Sequence, residues 1–346
     1  MINVKEMNQK LKILYSTAGG KAKNTELGMG HIYRCINLAD CLTDAENYFM
    51  LEDYGNAKDV FIEKGFKQVS TLNPKLSIKC KISKIERIVK EENIDVVIFD
   101  KYDIKKSIIK KVKKITKVVV ISDLKKIDYD VNLVINGFIG FKNKKIKNKF
   151  GSRCVLGPLY QILNKQYSKK IKTKKTTKLL VTFGGFDESN LVELFLKIFV
   201  KFQDKIKIKI ILGPASMKSE KIKEMELEFP KTIKIIDKKK SLQSVIASSE
   251  YGICGGGITT YEFARMNVPF AIIYQYKHQQ ITGKEWNKKY KIRNLGFPDD
   301  KIELKIKRYL TDIQNGKISR KKDFKNIVDG KGAYRVAEEI RNLFNS

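Results

Sequence analysis

Short apolar runs that alternate with helical patterns are the feature that most restricts how this chain folds. Residues 94–99 (Ile-Asp-Val-Val-Ile-Phe) and 117–121 (Lys-Val-Val-Val-Ile) are rich in β-branched side chains, which is typical of strands buried on both faces. Between them, residues 104–115 carry apolar side chains at helical spacing. Such strands, alternating with helices, predict a parallel sheet covered by helices on both sides.

The same pattern occurs twice along the 346 residues, which exceed the length at which one core keeps growing. Strands are predicted at 12–15, 47–51, 68–70, 94–99, 117–121 and 131–135, and again at 178–183, 206–212, 232–236, 251–254 and 268–274. Helices are predicted to begin at 31, 59, 76 and 104 in the first half and at 191, 216, 242, 258, 279, 301 and 333 in the second. We therefore predict an α/β domain over 1–165, a polar linker over 166–177, a second α/β domain over 178–330 and a C-terminal helix over 331–346.

A glycine-bearing loop is predicted over 16–30, between the first strand and a helix that starts at His31. The first N–H groups of a helix lack intrahelical partners and carry partial positive charge, which favours a neutral imidazole there. A neutral histidine near a phosphate or sugar can act as a general base. Alternatively, Gly28 and Gly30 only form a turn and His31 only caps the helix. Ligands of parallel sheets bind at the carboxyl ends of strands, and Asp100, Tyr102 and Asp123 also follow predicted strand ends.

Composition indicates an ordinary reduced, cytoplasmic globular protein. Residues 1–11 lack the apolar segment of a secretion signal, and no apolar run approaches the roughly 18 residues of a membrane span. The five cysteines are scattered and the chain has two histidines, so we expect no metal and no cofactor. Neither a dinucleotide-binding fingerprint nor a P-loop is present, which argues against nicotinamide enzymes and nucleoside triphosphatases.

The formal net charge of +32 raises the question of an anionic partner. The lysines are spread along the whole chain, and no nucleic-acid-binding motif is found, so we expect no nucleic acid. Two interpretations stay open: a solvated lysine-rich surface, or attraction to an anionic partner. That partner is either a phosphorylated ligand or an anionic membrane, with which a basic loop predicted at 142–149 associates weakly. The oligomeric state is not determined by the sequence.

A second glycine cluster, Gly255-Gly256-Gly257, follows a predicted strand and opens a helix. Glycines allow a ligand to approach the backbone, and the helix start offers free N–H groups to a phosphate. Ile258 and Thr259 lie at this helix start, and the Thr259 hydroxyl adds a donor. Glu262 comes about one turn later, where a carboxylate can accept two hydrogen bonds from a ribose diol. Alternatively, Glu262 is only a favourable acid in the first helical turn.

Taken in order, these motifs resemble the sugar-nucleotide hydrolase of pseudaminic acid biosynthesis, which is itself similar to B-type glycosyltransferases and to the lipid II-forming enzyme. The resemblance extends over about 12–291. The matching segments are 28–34 with Leu38 and Ala39, Asp100-Lys101-Tyr102, Asn136, 156–160, 183–187, the glycine-rich helix start before Glu262, Pro269, and Lys277-His278-Gln279. The loop at 16–27 differs from the family pattern, and His278 stands where the family commonly carries asparagine.

The resemblance implies two Rossmann-like domains facing across a cleft, the GT-B type of fold. It implies that His31 is the catalytic base, that Tyr102 lies near the sugar, and that the C-terminal half holds UDP with Glu262 on the ribose. The full set of substrate-binding residues expected on this basis is Gly28, Gly30, Arg34, Asp100, Tyr102, Gly184, Gly185, Gly256, Gly257, Ile258, Thr259, Glu262, His278 and Gln279.

The predicted activity is hydrolysis of a UDP-sugar with inversion, releasing UDP and a free 2,4-diacetamido-2,4,6-trideoxy sugar. The alternative is a glycosyltransferase of the same fold, in which a lipid- or glycan-linked acceptor replaces water. A third interpretation is a sugar-nucleotide-binding protein that keeps Glu262 but does not use His31.

Overall fold

The computed structural model describes residues 10–20, 28–55, 57–185, 187–202, 205–213, 216, 218–236, 242–319, 324 and 327–345. The chain divides into two compact units, each built on its own sheet. The first unit comprises Met1–Ala22, His31–Lys165 and Lys331–Ser346, and the second comprises Lys23–Gly30 and Gln166–Gly330.

The first sheet contains strands β1 (Lys12–Gly20), β2 (Glu46–Tyr54), β3 (Val69–Leu72), β4 (Val96–Asp100), β5 (Lys117–Ile121), β6 (Leu133–Asn136), β7 (Lys144–Lys147) and β8 (Arg153–Leu156). Their order is β3-β2-β1-β4-β5-β6-β8-β7. All neighbouring strands run parallel except β7 and β8, which are antiparallel. The connecting helices are α1 (Gly30–Ala39), α2 (Ala57–Glu63), α3 (Ile78–Glu91) and α4 (Lys106–Val112).

The central strand β1 fixes which side chains share a face of this sheet. Thr17 lies opposite Leu51 on β2 and opposite Asp100 on β4, whereas the next residue, Ala18, lies opposite Glu52. Because successive side chains of a strand point to opposite faces, Asp100 and Glu52 occupy different faces at the same carboxyl edge. The face that carries Met50 and Phe99 packs on α3 and α4 in an apolar core.

The second sheet contains strands β9 (Thr177–Thr182), β10 (Ile208–Ile211), β11 (Ile233–Ile236), β12 (Ser249–Cys254), β13 (Phe270–Ile273) and β14 (Arg293–Gly296), in the order β11-β10-β9-β12-β13-β14. All of its neighbours are parallel. The helices are α5 (Leu191–Phe199), α6 (Glu220–Glu228), α7 (Leu242–Ala247), α8 (Thr259–Arg265), α9 (Lys277–Tyr290) and α10 (Ile302–Gln314). One face buries Phe195, Phe199 and Tyr309 in its core.

The C-terminal helix α11 (Gly332–Phe344) belongs to the first unit. Its Glu339 is buried and pairs with the ammonium of Lys145 at 2.5 Å and with the guanidinium of Arg153. Arg341 pairs with Asp44 at 2.6 Å. The last helix of the chain is therefore held by ion pairs to elements of the N-terminal half.

Four segments differ between the prediction and the structure. The predicted loop over 16–30 is wrong at its start, because β1 continues to Gly20; residues 21–27 lie outside the described residues. The predicted basic loop at 142–149 contains β7, an edge strand whose lysines discourage pairing with another chain. The strands β8 and β14 were not predicted. In β8 only Cys154-Val155-Leu156 is apolar, directly before Gly157-Pro158, and the Arg-Asn-Leu-Gly of β14 has neither an apolar run nor a clear alternation.

Candidate functional site

His31 and Asp100 form a short polar contact at the carboxyl edge of the first sheet. His31 is the second residue of α1, Asp100 is the last residue of β4, and His31 Nδ1 lies 2.6 Å from Asp100 Oδ1. Asp100 is fully buried, and we assign the shared proton to Nδ1 because an ionised carboxylate accepts. No described residue forms a hydrogen bond with Nε2. This arrangement, in which a carboxylate orients an imidazole, is that of a general base.

Arg34, one helical turn after His31, holds two carboxylates. Its Nε donates to Asp100 Oδ2 at 2.7 Å, and its terminal nitrogens donate to the Asp123 oxygens at 2.6 and 2.9 Å. Burial works to raise the pKa of Asp100, but Arg34 and His31 outweigh it, so the pKa lies below its ordinary value. Asp100 is therefore an anion that accepts from His31 and from Arg34. The predicted binding of substrate by Arg34 stays a prediction.

Ligand atoms of His31, Asp100 and Asp123 lie within 4.8 Å of one another, as in a metal site. The guanidinium of Arg34, however, already pairs with both carboxylates. A fixed positive charge there repels a second cation and uses the oxygen lone pairs that a metal needs. These residues fit an ion-paired acid–base site better than a cation site.

Tyr102 follows Asp100 by two residues and is exposed, with 39% of its surface accessible. The ammonium of Lys126 lies 4.7 Å from the centroid of its ring. The ring is thus open to solvent beyond the carboxyl end of β4. A contact between this ring and a sugar stays a prediction.

In the second unit, Gln279 holds the loop between β12 and α8. Its Oε1 accepts from the backbone N–H of Gly256 at 3.2 Å and from that of Gln275 at 2.9 Å. A Cβ on Gly256 would lie 2.7 Å from the Cβ of Gln279, so only glycine fits there. The Gln275 amide donates to the carbonyl of Phe183 at 2.8 Å. Gln279 therefore supports the glycine loop, and its predicted contact with a ligand stays a prediction.

The start of α8 combines a fixed loop with free donors. Thr260 Oγ1 donates to the carbonyl of Gly257 at 2.8 Å and accepts from Trp286 Nε1 at 3.0 Å. Within the described ranges, the backbone N–H groups of Gly257, Ile258 and Thr259 have no hydrogen-bond partner. Such groups at a helix start are the usual donors to an anion.

Glu262 is half-buried on α8, and burial raises the pKa of its carboxyl to about 7, while the hydroxyls of Tyr167 and Thr259 act in the opposite direction. Tyr167 is fully buried in a short 3-10 helix, Lys165–Ser168. Its carbonyl accepts from Arg265 Nε at 2.6 Å, which fixes it beneath α8. Sequence reasoning missed Tyr167, because it lies in the predicted linker and no motif distinguishes it.

The loop at Gly184 and Gly185 leads into α5, whose start is already capped. The two carboxylate oxygens of Asp187 accept from the N–H groups of Leu191 and Val192 at 2.8 and 2.9 Å. Those donors are therefore not open to a phosphate. Gly184 has a φ of +81°, which favours glycine. Phe186, part of the predicted motif, lies outside the described residues.

Neither the backbone conformation nor the packing requires glycine at positions 28 and 30. Neither has a positive φ, and a Cβ at either position would meet nothing within 4 Å. A Cβ on Gly185, in contrast, would lie 2.7 Å from the side chain of Met29. His278 stacks on the ring of Tyr276 with 5.5 Å between centroids. Binding of substrate by Gly28, Gly30, Gly185 and His278 stays a prediction.

No protein-family model matches the chain. The spore coat polysaccharide biosynthesis protein SpsG of Bacillus subtilis is 27% identical over 335 residues, which cover 92% of this chain and 96% of that protein. An uncharacterised protein of Methanocaldococcus jannaschii is 25% identical over 354 residues, covering 97% of this chain and 67% of that protein.

Among solved structures, MurG of Acinetobacter baumannii is similar with a TM-score of 0.62 at 12% identity, covering 96% of this chain and 99% of that one. A UDP-glucosyltransferase of Polygonum tinctorium has a TM-score of 0.64 at 11% identity, covering 98% and 99%. MnaA of S. aureus, solved with UDP, has a TM-score of 0.61 at 12% identity, covering 97% of each chain. The predicted fold class, two Rossmann-like domains of the GT-B type, is confirmed. No helix in the described part of the chain is long and apolar enough to cross a membrane.

Proposed function

We propose that this protein is a hydrolase of a UDP-sugar that uses His31 as its general base. The observation that carries the proposal is the 2.6 Å contact of His31 Nδ1 with the buried, ionised Asp100. This contact fixes the ring and leaves Nε2 to accept a proton from water. Arg34 keeps Asp100 anionic and in place, so the base is oriented before a substrate arrives.

The nucleotide part of the proposal rests on α8. The N–H groups of Gly257, Ile258 and Thr259 suit the diphosphate, and the Glu262 carboxyl suits the two ribose hydroxyls. The Bacillus subtilis relative is named for polysaccharide biosynthesis, and the solved neighbours include a UDP-glucosyltransferase and a protein bound to UDP. These names support a nucleotide-sugar substrate in the synthesis of a polysaccharide.

In the proposed reaction, Nε2 of His31 takes a proton from water, and the water oxygen attacks the anomeric carbon. The bond between that carbon and the β-phosphate oxygen breaks, and its electron pair leaves with UDP. Donors at the start of α8 stabilise the developing charge of the leaving group. The resemblance implies a 2,4-diacetamido-2,4,6-trideoxy sugar of pseudaminic acid biosynthesis as the product.

The decisive experiment incubates the purified protein with a panel of UDP-sugars in ¹⁸O-water and without an acceptor. The proposal expects release of UDP together with one ¹⁸O atom in the free sugar, detected by mass spectrometry. His31→Gln is the matched inactive control. Binding of UDP without turnover of any sugar would contradict the hydrolase.

The second candidate is a glycosyltransferase with a lipid- or glycan-linked acceptor. It is favoured by the UDP-glucosyltransferase among the solved neighbours of this fold. In that reaction His31 would deprotonate a hydroxyl of the acceptor instead of water. UDP release that depends on an added acceptor, with no ¹⁸O in the product, would identify the transferase. A cytoplasmic location and weak association with an anionic membrane stay predictions from the sequence.

A further inference from the structure

The proposed chemistry leaves unused a group of charged side chains in the first unit. Glu52, near the end of β2, accepts from Lys101 Nζ at 2.6 Å and from Lys81 Nζ at 2.9 Å. Only 10% of the Glu52 side chain, 11% of the Lys101 side chain and 15% of the Lys81 side chain are exposed. We refer to Glu52, Lys81 and Lys101 as the lysine–glutamate cluster.

The cluster lies at the edge of the sheet where ligands of parallel α/β proteins bind. Glu52 is opposite Ala18 on β1, one residue beyond the pair formed by Thr17 and Asp100. Lys101 directly follows Asp100 in the chain. The cluster is thus next to the His31–Asp100 contact in sequence, but Glu52 points to the other face of the sheet.

The charges of the cluster do not cancel. Two ammonium groups share one carboxylate, which leaves one excess positive charge in a largely buried place. An ammonium has three N–H donors, yet within the described residues each lysine has one acceptor, an oxygen of Glu52. Burial acts to lower the pKa of Lys101, and Glu52 only partly offsets it. The neighbouring titratable groups, Cys35 and Tyr54, do not supply a second carboxylate.

Burying a charge without enough partners is unfavourable unless something compensates for it. An anion that bound Lys81 and Lys101 beside Glu52 would accept from the remaining donors and neutralise the cluster. Charge-assisted hydrogen bonds of ammonium groups to carboxylate or phosphate are among the strong ones.

We propose that the lysine–glutamate cluster binds an anionic group, a carboxylate or a phosphate, on the ligand of the N-terminal unit. One part of this proposal rests on the proposed function, namely that the anionic group belongs to the sugar or to an acceptor in a UDP-sugar reaction. Water as the sole second substrate needs no such site. The cluster therefore implies either an acidic sugar in place of the neutral 2,4-diacetamido-2,4,6-trideoxy sugar or, in the second candidate function, an acidic acceptor.

The test uses the full-length protein saturated with UDP, so that the nucleotide site is filled. The probes are inorganic phosphate, glucuronate, and glucose as the neutral match for glucuronate, with affinities measured by ligand-detected NMR. The variants are Lys101→Met, which leaves Glu52 paired with Lys81, and Lys84→Met as the control. Lys84 is exposed on the same helix as Lys81.

The proposal expects Lys101→Met to weaken binding of phosphate or glucuronate at least about tenfold, with Lys84→Met unchanged and glucose unaffected. Glu52→Gln removes the only negative charge, so it should bind the anion as tightly as the natural protein or more tightly. A structural role for the cluster predicts the opposite, a loss of binding in Glu52→Gln and Lys101→Met alike. If Glu52→Gln does not fold, Lys81→Met replaces it and should weaken binding like Lys101→Met.

Stronger binding of phosphate points to a phosphate-bearing acceptor, and stronger binding of glucuronate points to an acidic sugar. Equal anion affinity in Lys101→Met and Lys84→Met would overturn the proposal. The titration needs no turnover, so a failure of UDP-sugar hydrolysis leaves it intact. If UDP itself does not bind, the same comparison of variants without UDP still tests the cluster.

Discussion

The Glu262 carboxyl makes a quantitative prediction about the stability of the second unit. Burial raises the pKa of this group from an ordinary value of 4.5 to about 7. Between those values the folded protein keeps the proton while the unfolded chain releases it. Stability therefore falls as pH rises from 4.5 to 7, and it stays lowered above 7. The variant Glu262→Gln removes the titration with little change of shape.

The magnitude follows from the difference of about 2.5 pKa units. At 1.36 kcal/mol per unit, the ionised carboxylate lowers the free energy of unfolding by about 3 kcal/mol above pH 7. Other groups titrate equally in both proteins, so the comparison with Glu262→Gln isolates this one carboxyl. Because the unfolded carboxyl is already largely ionised at pH 5, we expect the loss of stability between pH 5 and pH 8.5 to be smaller in the variant by about 2.5 kcal/mol.

The assay is urea unfolding followed by tryptophan fluorescence at both pH values. Trp286 is the single tryptophan of the chain, is fully buried in the second unit, and bonds to Thr260 of α8. Its signal therefore reports the unit that contains Glu262. The argument would be refuted if the stability of the natural protein and that of Glu262→Gln changed equally with pH. That result would mean that the Glu262 carboxyl ionises equally easily in the folded protein and in the unfolded chain.

Three further predictions concern the site and the surface. His31→Gln should lower kcat at least ~10²-fold with a much smaller change in KM, because general-base catalysis is lost while the residues of the second unit that we propose to bind the nucleotide remain. A folded variant with near-normal turnover would exclude His31 as the base. Glu262→Ala should weaken UDP binding in calorimetric titrations. The loss of affinity caused by this substitution should be smaller for 2′-deoxy-UDP than for UDP, because 2′-deoxy-UDP lacks one of the two ribose donors. Equal losses for both nucleotides would remove Glu262 from the ribose. The double variant Lys144→Gln, Lys147→Gln should leave hydrolysis unchanged, since both charges are exposed on the edge strand β7 and salt screens their effect on the site. The same variant should reduce sedimentation with anionic liposomes. Undiminished sedimentation would exclude docking through this strand.

The sequence by itself determined the fold class and the position of the helix that carries His31. Apolar, β-branched runs such as Val96–Asp100 and Lys117–Ile121 form strands wherever they are buried on both faces, so local patterning was sufficient. Polar residues after strand ends also predicted that Asp100 and Asp123 lie near His31, because parallel strands bring their carboxyl ends to one edge. The strands without such a long run, β7, β8 and β14, were missed.

Only the tertiary structure decided which polar groups bond to one another. Arg34 joins Asp100 and Asp123 across 66 and 89 residues of sequence, and no local pattern encodes such a contact. The hydroxyl of Tyr167, from a stretch that reads as a linker, acts to lower the pKa of Glu262, but burial of that carboxyl, not its position in a helix, raises the pKa. Lys81 and Lys101 come from different elements and meet on one carboxylate of β2. Spacing along the chain restricts which side chains share a face, but the partners and the burial of each charge depend on how the elements pack.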